Sequence, residues 1–375
     1  MVQLRGALVI ALAVGLTSAV CDGLNLSGEA IAYGAVIAAV IVRSDFSRWP
    51  LAIYPVLLVV VGFCMAIGVV LGLALSAVPQ VFLFGLVAAL MQLFALLLPG
   101  KLRMLSGVVA VAGVLPLLSS APSWSDWGQE LLAIALGMAI GTAVQLAFSP
   151  AVIPASESPA AGPAPEPAEP PLAERVMAGL RSPFFWRKLV FASLALAIGQ
   201  GVGAATPKYL YFGVVLLLND SIGDTLGRVR DRMVGVSFGI LMPLLVFNTL
   251  GIGALQNGLV MGGTAALVMA LNKASYLRTA LISSGVAFVG YGPLVAWYIP
   301  NRWIDYLMGC GLALAVGLLL FPNSALRRYN QLRTDPTASS EQLQRLLPAA
   351  REEARWLGVP LAEPFTPELS GAEAS

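Results

Sequence analysis

Apolar runs long enough to cross a bilayer follow one another along this chain, and the run at residues 51–77 holds no charged residue. A hydrocarbon core of about 30 Å takes roughly 20 apolar residues per helical span. Inside that core every backbone N–H and C=O needs an internal partner, which leaves helices as the natural spanning element for runs of this length. Over all 375 residues, 58% are apolar and only 11% are charged. A soluble domain carries roughly a quarter charged residues, so most of this surface is built for lipid.

Runs bounded by charges, proline or glycine predict helices near 4–21, 28–43, 51–77, 80–98, 103–119 and 128–148. Six more are predicted near 186–203, 208–219, 232–249, 253–271, 278–297 and 303–322. The fold class is therefore an all-α integral membrane protein of about twelve spans. Arg5, an apolar run and the small residues Thr17, Ser18 and Ala19 imitate a signal peptide. The residues before Cys21 make a poor lipidation site, and the first segment is expected to stay as a helix.

The two sets of six resemble each other. Val61-Gly62-Phe63 answers Val234-Gly235-Val236, Lys101 to Arg103 answers Lys273 to Arg278, and Gly137 with Phe148 to Pro150 answers Gly309 with Leu320 to Pro322. An even number of spans per half predicts two repeats of the same orientation, with a site near their interface. The division expected is 1–149 for the first repeat, 150–185 for a Pro/Ala/Glu-rich cytoplasmic linker, 186–322 for the second repeat and 323–375 for a cytoplasmic tail, partly disordered. The linker composition favours extended polyproline structure over a fold. In the tail a short helix is expected around Ser340–Leu347, ended by Pro348.

Charge placement sets the orientation. Arg5, Arg43, Arg48, Lys101, Arg103, Arg175, Arg181, Arg187, Lys188, Arg228, Arg230, Arg232, Lys273, Arg278 and the tail from Arg327 fall on one side of the twelve-helix arrangement. Lys208 and Arg302 fall on the other, with Asp22, Glu29, Asp126, Glu130 and Asp305. The positive-inside rule makes both termini cytoplasmic in a multi-pass membrane protein. Trp124, Trp127, Trp297 and Trp303 gather at the outer boundary, as an interfacial belt does.

Histidine is absent, which removes Ser-His-Asp catalysis, His-ligated zinc and His-ligated haem. Cys21, Cys64 and Cys310 are scattered and form no C-x-x-C pair. Nothing points to an enzyme, a metal, a cofactor or a nucleic acid.

Gly68 and Gly72, Gly137 and Gly141, and Gly235 and Gly239 are each spaced by four, and Gly62 precedes the first pair. That spacing places both glycines on one helix face and admits a neighbouring backbone. The most polar stretch between spans runs from Asn219 to Arg232 and reads as a loop. It is either a solvated, orientation-setting loop or an anion-attracting vestibule, in which Arg228, Arg230 and Arg232 bind carboxylates and Asp220 and Asp224 gate. Arg302 and Asp305 share a helix face at the outer end, as an interfacial ion pair or as a substrate and coupling pair. The polar residues deeper in the predicted spans are Gln92, Gln145 and Gln200.

The stretch Arg232-Met-Val-Gly235-Val-Ser-Phe-Gly239 resembles the R-x-x-G-T-x-x-G helix opening of the fusaric acid resistance family, which includes aromatic acid exporters. Arg302-Trp-Ile-Asp305-Tyr-Leu-Met-Gly309 with Leu320-Phe-Pro322 resembles the family's closing helix. Val236 stands where the family usually has threonine, and the Pro-rich linker stands where many members hold a cytoplasmic domain. The resemblance implies efflux of aromatic or other weak organic acids, often beside a periplasmic membrane-fusion adaptor. The expectation is a proton-driven exporter of small organic anions. A non-catalytic membrane scaffold and a passive anion channel are the alternatives. The partners expected are the bilayer, an organic anion, the adaptor and further copies of the chain.

Overall fold

The computed structural model describes residues 2–43, 53–98, 109, 112–118, 122–148, 171–203, 221–289, 295–315, 324–335 and 340–361. Its helices are α1 (Val2–Gly23), α2 (Gly28–Arg43), α3 (Ile53–Ala74), α4 (Gln80–Leu97), α5 (Trp124–Phe148), α6 (Leu172–Arg181) and α7 (Pro183–Gly201). They continue as α8 (Ile222–Gly239), α9 (Leu241–Leu250), α10 (Ala254–Ala270), α11 (Leu277–Val289), α12 (Val295–Ala315), α13 (Ala325–Thr334) and α14 (Ser340–Leu357). The helix expected at 208–219 lies outside the described residues, as does most of that at 103–119, where a 3-10 turn covers Leu115–Leu118.

Four stretches, Arg5–Gly23, Ile53–Ala74, Trp124–Phe148 and Ile222–Leu250, are long and apolar enough to cross a membrane, and several shorter helices are apolar. Their outward faces are apolar as well. Leu8, Leu12 and Leu16 are 62%, 40% and 44% exposed at the i, i+4 spacing of one helix face. Trp186, Val190 and Leu194 make the same kind of stripe on α7. Large apolar side chains turned outward at helical spacing need lipid against them.

Small residues hold the bundle together. A side chain at Gly137 would overlap the Gly34 carbonyl, and one at Gly141 would meet Ala38 at 3.1 Å, so α2 and α5 run parallel in close contact. Gly258 faces Ala11 and Gly15, and Gly262 faces Ala7 and Ala11, which makes α1 and α10 antiparallel. Gly85 meets Ser193, joining α4 to α7. A Cβ on Gly235 would lie 2.5 Å from Thr279, and one on Gly239 2.6 Å from the Ala280 carbonyl, so α8 and α11 run side by side. Gly68 abuts the Gly113 carbonyl, Gly72 would meet Pro122 at 2.7 Å, and Gly62 would meet Leu131 at 3.1 Å.

The structure departs from the sequence expectation in five places. The polar stretch ending at Arg232 is not a loop: from Ile222 it is helix α8, started by the Ser221 side chain accepting the Asp224 N–H. The helix expected at 232–249 is interrupted at Ile240, because Pro243 lacks an N–H and its ring crowds the carbonyl four residues back. The last helix of the second half starts at Val295, well before residue 303. Pro348 lies inside α14, which continues to Leu357. Ala349, Ala350, Glu353 and Ala354 are buried just beyond it, and that docking outweighs the one backbone bond the proline removes. Within the range expected for the linker, residues 172–181 form the amphipathic helix α6.

Candidate functional site

Helix α8 carries all three arginines, and helical geometry separates them. At 3.6 residues per turn, Arg228 and Arg232 fall on one face and Arg230 on the opposite one. Arg230 turns to the tail. Its Nη1 lies 2.6 Å from Glu352 Oε1 and its Nη2 3.2 Å from Asp231 Oδ1. Trp356 Nε1 donates to the same Glu352 oxygen at 3.2 Å. A side chain at Gly223 would overlap the Ala349 carbonyl, so α14 lies directly on the first turn of α8. The buried Glu353 accepts the Leu326 N–H at 3.2 Å and the Ser324 hydroxyl, and so caps α13.

Arg232 turns instead into the apolar bundle. Its Nη2 donates to the Tyr306 hydroxyl at 2.9 Å, and its guanidinium carbon stands 5.1 Å from the Tyr306 ring centroid. Tyr306 and the preceding Asp305 are each only 2% exposed on α12. Trp303 Nε1 donates to Ser237 Oγ at 3.2 Å one turn further along the same pair of helices. The interaction between a guanidinium and an aromatic face strengthens as water is removed. A fixed guanidinium with donors to spare is what a carboxylate needs for a forked contact.

Of the residues singled out in the sequence, Arg232 and Asp305 are brought to the same two helices. Arg228 is exposed and acts electrostatically on Lys188 of α7. Asp224 belongs to the start of α8, where its Oδ2 accepts the Ser221 hydroxyl at 2.6 Å. Asp220 and the Arg302 side chain lie outside the described residues. Sequence reasoning gives no site role to Lys188, which is 5% exposed with Nζ 2.6 Å from Gln92 Oε1. It also misses Tyr306 and Glu352. The polar Gln92 inside an apolar helix is the one local signal that a charged partner sits opposite.

The N-terminal end of α5 is a second polar region. Ser123 Oγ accepts the Asp126 N–H at 3.0 Å, Gln129 Oε1 accepts the Ser27 N–H at 3.0 Å, and Trp127 Nε1 donates to the Gly62 carbonyl at 3.0 Å. Glu130 follows, 2% exposed. A separate apolar cleft of about 370 Å³ opens between α3 and α5, lined by Tyr54, Leu58, Met138 and Thr142 among others. Among the described residues no group of three or more Cys, Asp or Glu side chains is arranged to hold a metal ion.

Residues 194–316 match the family model described as fusaric acid resistance protein-like. Over this segment, about a third of its length, the chain is similar to the fusaric acid resistance family. The match takes in all of α8 to α12, with the end of α7, and with them both Arg232 and the Asp305–Tyr306 pair. This likeness and the apolar helices together support a multi-pass membrane protein, and the family so described is one of membrane transport and resistance. No curated protein matches the chain, and no solved structure matches it.

Proposed function

We propose that the chain is an inner-membrane exporter of small organic anions, with aromatic carboxylates the favoured class and the proton gradient the drive. The observation that carries this reading is the Arg232–Tyr306 pair inside the family segment. Arg232 supplies the fork for a carboxylate, and the Tyr306 ring and the neighbouring apolar side chains suit a flat hydrophobic body. Arg228, exposed on the same face of α8, steers anions toward it from the cytoplasm.

The alternation of the spans is supported by helix directions, while the placing of both termini in the cytoplasm rests on the distribution of basic residues. α1 runs antiparallel to α10 and α4 antiparallel to α7, while α2 runs parallel to α5 and α8 parallel to α11. These are the relations that alternately crossing spans would have at those positions. The pairing of α1 with α10 and of α4 with α7 is also reciprocal, as two like halves related by an axis along the membrane normal require.

Binding is tested on the purified protein through its tryptophans, one of which, Trp303, lies on α12 near the pair. Benzoate should quench the fluorescence saturably, and Arg232→Ala should remove the saturable component. Absence of saturable quenching by any member of a panel of aromatic carboxylates would reject the reading in favour of a scaffold.

A further inference from the structure

We infer that Glu130 is a binding site for a small monovalent cation, H+ or Na+, taken up at the outer end of the bundle. Glu130 lies in the second turn of α5, is 2% exposed, and its Oε2 has no hydrogen-bond partner among the described residues. An unpaired carboxylate removed from water is costly by several kcal/mol even after relaxation. Such a group needs positive charge beside it.

The protein's own charges do not supply it among the described residues. The groups acting on Glu130 are Glu29, in the first turn of α2, and Asp126, one turn back on α5. Both are carboxylates. The titratable groups on the packed helices near that end add Asp22 and Cys21 of α1 and Tyr33 of α2, none of them cationic; Cys64 of α3 is a thiol. The basic residue of α1, Arg5, is at the other end of the bundle, where it donates to the Phe148 carbonyl at 2.6 Å. Phe148 is about 27 Å along α5 from Glu130 at 1.5 Å per residue. With no cation facing Glu130 among the described residues, the inferred partner is a cation from solution, and the surrounding carboxylates raise the local concentration of cations at the entrance.

The position suits coupling. One turn inward, Ala133 and Thr17 close on Gly34. Beyond them α1 crosses α10 at Gly15 and Gly258, where the first half of the chain meets the family segment. Ser18 Oγ and Asn257 Oδ1, on these two helices, are buried without a hydrogen-bond partner among the described residues. A charge change at Glu130 is thus felt next to the seam between the halves, along which alternating access would move. This role in coupling rests on the transport reading above; cation binding itself does not.

The test uses full-length protein in lipid nanodiscs and difference infrared spectroscopy, stepping pH without Na+ and then Na+ at fixed pH. The expected result is a carboxyl band that changes with one of the two cations, persists in Glu29→Gln and Asp126→Asn, and is lost in Glu130→Gln. A proton gives a carbonyl stretch that appears on acidification; Na+ gives a shift of the carboxylate bands alone. A band unchanged by Glu130→Gln, or one lost in Glu29→Gln or Asp126→Asn but kept in Glu130→Gln, overturns the inference. In proteoliposomes, Glu130→Gln should keep benzoate counterflow and lose gradient-driven accumulation. A parent that moves no anion while the band behaves as expected would reject the transport reading and leave the site standing.

Discussion

Arg230 and Glu352 meet at 2.6 Å across 122 positions of sequence, and this contact ties the end of the chain to the opening turns of α8. Their side chains are 34% and 16% exposed. The pair is neither free in water nor fully buried, so its contribution is modest, about 1 kcal/mol. Breaking it should loosen the tail without unfolding the bundle. Arg230→Glu should make α14 accessible to limited proteolysis, and the exchanged pair Arg230→Glu with Glu352→Arg should restore much of the protection. Equal cleavage of parent, single and double variants would show that Gly223 and Ala349 hold the tail unaided.

Arg230 and Arg232 should also separate in transport. Arg232→Lys keeps the charge and loses the planar fork, so the apparent KM for an aromatic carboxylate should rise about tenfold, equivalent to about 1.4 kcal/mol. Tyr306→Phe removes the hydroxyl that accepts the Arg232 N–H and should cost several-fold through lost orientation, with the expression level unchanged. Arg230→Lys should be nearly silent. Initial rates in everted vesicles measure all three, and free substitution by lysine at position 232 would remove that residue from the site.

Glycine packing gives a comparison with an internal control. Gly239→Leu forces a branched side chain into the Ala280 carbonyl and Ser283, pushing α8 off α11 and forfeiting dispersion contacts along the crossing. A Cβ on Gly311 of α12 would meet nothing within 4 Å among the described residues, so Gly311→Leu should be tolerated. Size-exclusion profiles in detergent should show the first variant aggregated and the second like the parent. Two similar profiles would place Gly239 against lipid.

Helix α6 should lie in the headgroup layer of the inner leaflet. Only Ser182 separates it from α7, whose exposed stripe begins at Trp186, and Arg175 anchors it through the Leu98 carbonyl at 3.0 Å. Its exposed Leu172 lies nearly opposite the exposed Glu174 on the helix circumference. A spin label at Leu172 should be relaxed by oxygen and a label at Glu174 by a water-soluble nickel chelate. The reverse order would place the helix free in the cytoplasm.

The helical, membrane-suited character of the chain is legible because a bilayer imposes a length on a span, and composition alone reports it. The start of α8 carries its own signal, since Ser221 three residues before Asp224 is a helix-opening pattern, but the polarity of the stretch disguises it as a loop. The division of the arginines is hidden with it, since a loop has no faces and a helix puts Arg230 opposite Arg228 and Arg232. Glu352, Glu353 and the passage of α14 through Pro348 are not legible. Their roles come from docking on distant helices, and locally they look like any charged surface turn. Charge placement puts Glu130 among the outer carboxylates, but its burial depends on how closely Gly34 and Gly137 let α2 approach α5, which spacing hints at and only packing decides.

The most direct measurement is uptake of radiolabelled benzoate and related aromatic carboxylates into everted membrane vesicles with an imposed proton gradient. Accumulation should exceed that of vesicles lacking the protein, collapse with a protonophore, and fail in Arg232→Ala. Uptake indistinguishable from vesicles lacking the protein across the whole panel would contradict the exporter reading. Uptake that follows the membrane voltage and ignores the pH gradient would contradict proton coupling and indicate a channel.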